Sequence, residues 1–158
     1  MLKNISFFLK IIAFFLLVFI WVYTWITYAK LPETVPVHFG IGGKADGFGP
    51  KSMNWLLVGI STLMYVFVFY LSRNPQSIFL NLPNRIKENR ELTGIIVDVL
   101  NVLTMAIFAV ITYESIRVSL HEMDGLSPIS DYVLGLVALF VVGILIYSQL
   151  LLKKKSID

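Results

Sequence analysis

Four long apolar stretches occupy most of this chain of 158 residues: Phe7–Tyr28, Met53–Leu71, Leu92–Tyr113 and Tyr132–Leu152. A helix that crosses a bilayer needs about 20 mostly apolar residues to span a hydrocarbon core of about 30 Å. Three of the four meet this with no formal charge, over Ile11 to Ala29, Ser52 to Ser72 and Tyr132 to Leu152. The remaining one is interrupted once, by Asp98. Lipid offers no partner to a backbone N–H or C=O, so such segments must bond within themselves as helices. The alternating short strands of a membrane β-barrel are absent from the sequence.

Composition agrees. The hydrophobic fraction is 57% and the mean hydropathy is +0.79, too much apolar surface for a water-soluble domain of this length to bury. The expected fold class is all-α: one integral membrane domain over residues 1–158, a four-helix bundle with a structured loop of residues 30–52. The first stretch is longer than the apolar core of a secretory leader, about 7–15 residues, and no small-residue cleavage site follows it, so a retained anchor is expected. The chain has no cysteine, which excludes disulfides, thiolate metal sites and a cysteine nucleophile.

Charge predicts an orientation. Lys3, Lys10, Arg73, Arg85, Lys87, Arg90 and Lys153 to Lys155 fall on one side of the expected bundle; Lys30, Lys44, Lys51 and Arg117 fall on the other. Lysine and arginine favour the cytoplasmic side, so both termini are expected inside and the 30–52 loop outside. Trp25, Tyr28, Trp55 and Tyr132 fit the outer interface, and Tyr70 and Tyr147 the inner one. The net charge of +3 follows from this bias and gives no reason to expect nucleic acid.

The inner connection Arg73 to Glu91 is punctuated by Asn74-Pro75 and Leu82-Pro83, because proline pushes the preceding residue out of the α region. Pro83 suits a first helical turn, and Ile78, Phe79, Leu80 and Leu82 are candidates to dip into the interface.

The outer loop holds the most specific residues. Gly40, Gly42, Gly43, Gly47 and Gly49 lie between Pro36 and Pro50. Glycine permits positive φ and proline fixes φ, so the mixture predicts tight turns and not a flexible linker. Val35 to Phe39 reads as a short extended, β-like piece; Val35, Val37, Phe39, Ile41 and Phe48 are candidates to seat the loop on the bundle.

Leu31-Pro32, Pro36-x-His38-Phe39, Gly43-x-x-Asp46-Gly47-Phe48 and Lys51 together resemble the bacterial membrane family called domain of unknown function 1648. That domain forms the N-terminal part of SdpI-type immunity proteins. Pro50 stands where the family often has serine, and the chain is too short for the second helical half of full SdpI-type proteins. The resemblance implies a bacterial cytoplasmic membrane protein linked to immunity against a secreted peptide toxin, and implies no catalytic residue or cofactor. Its ligand-binding candidates are Pro36, His38, Phe39, Gly43, Asp46 and Lys51.

Read as side chains, His38 and Asp46 admit several roles. They are candidate metal ligands with Glu33 as a third; His38 is a candidate pH sensor; or both hold the turns by bonds to nearby backbone. Lys51 is expected at the headgroup level. Asp98 needs an interior setting, since a carboxylate in mid-membrane costs about 3 kcal/mol or more. Asn101 and Met105 share its helix face, and Ser61, Thr62 or Tyr65 are candidate partners. Glu114 and Arg117 are expected to pair at i,i+3. Gly135, Ala138 and Gly143 leave homo-oligomerisation open.

The leading expectation is a binder and not an enzyme: an SdpI-like immunity or envelope-stress protein that recognises a peptide or other ligand at the outer face, with a peptide toxin or another membrane protein as candidate partner. The alternatives are a small transporter or ion-coupled protein using Asp98, and a metal-dependent membrane enzyme. No G-x-S-x-G, H-E-x-x-H or P-loop signature supports the last.

Overall fold

The computed structural model describes residues 2–40, 42–80, 82 and 84–154. Helix α1 (Leu2–Tyr28) leads into a hairpin of β1 (Thr34–Phe39) and β2 (Ala45–Pro50). Helix α2 (Met53–Arg73) follows, then a short α3 (Asn84–Glu88), α4 (Arg90–Ser119) and α5 (Pro128–Lys154). Among the described residues, four helices are long and apolar enough to cross a membrane: α1, α2, α4 and the Pro128–Tyr147 part of α5. The chain is a multi-pass membrane protein.

Helix α4 is the centre. It packs on α1, α2 and α5, and its buried Val97, Asp98, Met105 and Ala109 meet α1 or α2. From one end of the bundle to the other, successive layers are Val68, Leu71, Leu80 and Val97; then Ala13, Leu17 and Met105; then Ile20, Val58 and Ala109; then Leu31, Val35 and Ile116. These layers make α1 and α4 parallel and α2 antiparallel to both. Apolar residues elsewhere on the helices stay exposed, such as Phe15, Leu63 and Leu139, because their solvent is hydrocarbon. Helix α5 contributes no residue to the buried core among the described residues.

The helices run further than the apolar runs alone. α1 begins at Leu2 and carries Ser6 and Lys10 on its first turns. α4 continues through Glu114 and Arg117 to Ser119, because both charged groups find partners there. Asn89 caps α4, its side chain accepting from Leu92 N at 3.0 Å. α2 ends at Arg73, and Asn74 N–H closes its last turn on Tyr70 O and Leu71 O. In the connection that follows, Leu80 is buried and Leu82 packs beside it, whereas Ile78 and Phe79 are exposed. Pro83 and Ile41 lie outside the described residues.

Candidate functional site

The extended piece at Val35 to Phe39 is one arm of an antiparallel hairpin. Its register pairs Pro36 with Phe48, His38 with Gly47 and Phe39 with Ala45. Val37 on one strand and Asp46 on the other are left over, so each strand carries one bulge. A bulge bends the strand and re-aims its side chains. The result brings His38 Nδ1 and Asp46 Oδ1 into a short hydrogen bond. They bond to each other and not, as one sequence reading had it, to neighbouring backbone. Gly47 makes room for this, since a Cβ there would stand 2.9 Å from His38 Cβ.

The hairpin is fixed at both ends. At its base Lys51 N donates to Glu33 O at 3.0 Å, and Lys51 Nζ reaches Glu33 Oε1 at 2.9 Å and lies over the Tyr28 ring. The hydrogen bond to Glu33 holds the Lys51 ammonium above the usual lysine range, against a smaller opposing effect of desolvation. At its tip Gly43 adopts φ +76°, and its carbonyl accepts from Leu126 N at 2.8 Å. Backbone meets backbone here: a Cβ on Gly43 would lie 2.5 Å from Leu126 O.

Between these anchors the surface of the hairpin is mixed. Val35 is buried and seats the sheet on Leu31 and Ile116, and Phe39 is partly covered. Val37 and Phe48 are 46% and 63% exposed, so neither is covered by the bundle as Val35 is, although Val37 edges the space between β1 and α2. The His38 and Asp46 side chains are 72% and 52% exposed. Beneath the hairpin, a cavity of about 220 Å³ opens between β1, α2 and α4, lined by Val37, Phe39, Leu57, Ile60 and Ile111. On the far side of Phe39 a second, of about 390 Å³, is lined by Gly43, Ile107, Leu126, Ser130 and Leu134.

The metal reading finds little support in the placement. Glu33 turns to Lys51, and no three His, Asp or Glu side chains gather with metal-holding geometry among the described residues.

Glu114 and Arg117 do not pair. Buried Glu114 accepts from Ser127 N at 3.1 Å and from the Ser127 hydroxyl, closing the start of α5. Arg117 turns the other way, to Glu122 Oε2 at 3.0 Å and the Tyr113 hydroxyl at 2.9 Å.

Asp98 is buried at 1% exposure, but its partners come from α1. Lys10 Nζ donates to Asp98 Oδ2 at 2.8 Å and Ser6 Oγ donates to the same oxygen at 2.6 Å. Ser61 and Thr62 hydroxyls bond instead to Val58 O on their own helix. Sequence reasoning missed Lys10, which reads as a flanking charge until the α1–α4 register is known. The signal available was that a lone acid in one span calls for a basic partner in another.

Comparisons with known proteins find a family and a distant relative. An uncharacterized protein of Archaeoglobus fulgidus is 36% identical over 81 residues, covering 48% of this chain and 43% of that protein. The chain thus spans less than half the length of the curated relative it matches. No solved structure matches. The family whose model matches is the domain of unknown function DUF1648, over residues 15–64 of this chain, from the middle of α1 through the hairpin into α2.

Proposed function

We propose that this protein is an SdpI-like immunity or envelope-stress protein of the cytoplasmic membrane that binds a peptide through the β1–β2 hairpin at the outer face. The observation that carries the reading is a hairpin tethered at both ends yet left largely uncovered. The hairpin is tied down at Lys51–Glu33 and at Gly43–Leu126, while the His38 and Asp46 side chains and much of Phe48 and Val37 stay exposed. Pre-ordering of this kind reduces the entropy lost on binding.

The chemistry suits a peptide. With Nδ1 committed to the Asp46 carboxylate, Nε2 is the ring nitrogen left for a ligand: an acceptor in the neutral ring, a donor in the protonated one. Val37 and Phe48 supply apolar contact. A two-stranded sheet also has free edges, to which an extended chain can add by main-chain hydrogen bonds. The excess of Lys and Arg at the end that holds the termini supports placing that end in the cytoplasm.

The test is survival of bacteria sensitive to a toxin of the class SdpI-type proteins resist. Cells expressing this chain are compared with cells expressing His38→Ala at the same membrane level. Protection that disappears with His38 is the expected result. No protection by either version removes the immunity reading.

A further inference from the structure

We propose that Ser6, Lys10, Asp98 and Asn101 form a proton-binding site inside the bundle, entered from the end where the chain begins and closed toward the hairpin.

The site arises from register. Lys10 and Asp98 are 88 residues apart, and the same offset relates Leu17 to Met105, which share a layer of the core. Two parallel helices in contact along their length thus bring one cation and one acid to the same level. Asp98 Oδ2 is fully engaged by Lys10 and Ser6, and Lys10 Nζ also reaches Ser6 Oγ at 2.6 Å. Asp98 Oδ1 has no hydrogen-bond partner among the described residues, and neither has Asn101 Oδ1. Both residues are buried, at 1% and 2% exposure, and they stand one turn apart on one helix face.

Two buried acceptor oxygens one turn apart on α4 lack a donor. An ionised carboxylate and an amide oxygen can only accept, and a buried acceptor left unmatched is costly. A proton on Asp98 Oδ1 converts that atom into a donor with the Asn101 oxygen one turn on as its acceptor. A single water between them would serve as the carrier, donating to both before the transfer. A metal ion is a poorer occupant, because the Lys10 ammonium already sits against Asp98 Oδ2 and Ser6 Oγ and would repel it.

The route is one-sided. The Lys10 side chain is 26% exposed, so Lys10 is where the cluster meets the surface of the bundle. In the opposite direction Ala13, Leu17 and Met105, then Ile20, Val58 and Ala109, fill the bundle. The titratable groups that act on Asp98 are Lys10 from α1 and Tyr65 from α2, among the described residues. On uptake, hydronium from the entry side gives its proton to Asp98 Oδ1 and leaves as water. Lys10 keeps its own proton, and the pair passes from neutral to singly positive. Lys10 then has no anion to hold it, and its long stem can carry the ammonium back toward the interface.

The experiment is a pH titration of the full chain in lipid nanodiscs, followed by infrared difference spectroscopy. A carboxylic-acid C=O band should grow as pH falls and be missing in Asp98→Asn. In Lys10→Gln, which removes the stabilising cation, its midpoint should rise by about one pH unit or more. In Asn101→Leu, which removes the acceptor for the protonated form, it should fall. If single variants fail to fold, the neutral double variant Lys10→Gln/Asp98→Asn must lack the band. A band that survives loss of Asp98, or a midpoint indifferent to Lys10 and Asn101, overturns the proposal. Proton flux through wild-type proteoliposomes would overturn its one-sided form.

Discussion

Gly125 stands so close to Gly43 that a Cβ on Gly125 would come 2.6 Å from the Gly43 carbonyl oxygen. One glycine belongs to the tip of the hairpin, the other to the α4–α5 connection, and no side chain fits between them. Gly43→Ala adds the strain of a left-handed backbone to the clash, so we expect a loss of about 2 kcal/mol or more. Thermal unfolding in detergent reads the loss. Limited proteolysis should then cut the hairpin tip faster than in wild type; equal cutting rates would show that the tip is held by something else.

Lys10→Met leaves the buried Asp98 carboxylate without its cation, and Asp98→Asn leaves Lys10 without its anion. Lys10→Met and Asp98→Asn are each expected to cost about 3 kcal/mol, and the double variant clearly less than the sum. A double-mutant cycle on unfolding free energies checks this. Additive losses would mean that the two groups do not interact.

Glu114→Ala removes the acceptor for both Ser127 groups at the head of α5. The expected cost is about 2 kcal/mol, with Ser127→Ala in the same direction. Arg117→Ala, on the exposed pair with Glu122, should change the melting temperature little. The reverse ranking would restore the i,i+3 pairing of Glu114 with Arg117.

Lys51 gives an alkaline signature. Its pKa is raised in the folded protein by the Glu33 hydrogen bond, so its stabilising effect is complete below the unfolded lysine pKa. It disappears as pH climbs through the raised folded value. Wild type should therefore melt above Lys51→Met by a constant margin near neutrality, with the two curves converging only in strongly alkaline buffer. Convergence on the acid side of neutrality would contradict this sign, unless Glu33 protonation is the cause, which Glu33→Gln distinguishes.

Much of this architecture is legible in the chain because lipid is a strict solvent. A run such as Tyr132 to Leu152 has few structural options, and the four spans follow. Other features depend on register, which periodicity does not carry. His38 and Asp46 are close in sequence, but only bulges at Val37 and Asp46 turn them toward each other. Lys10 resembles any basic residue before a membrane helix until α1 and α4 are aligned. Val37 and Phe48 look as apolar as Val35, but hydrophobicity alone does not tell which of the three the bundle covers fully.

All three tryptophans of the chain stand together at the foot of the hairpin. Trp55 on α2 lies 5.9 Å from Trp21 and 6.1 Å from Trp25, both on α1, with Tyr28 at 5.6 Å completing the group. The protein therefore carries its own label, confined to one seam. Intrinsic emission should change when something seats on the hairpin or when α1 slides against α2 there. It should stay quiet through events confined to the opposite end, so one unmodified sample can tell the two halves of the molecule apart.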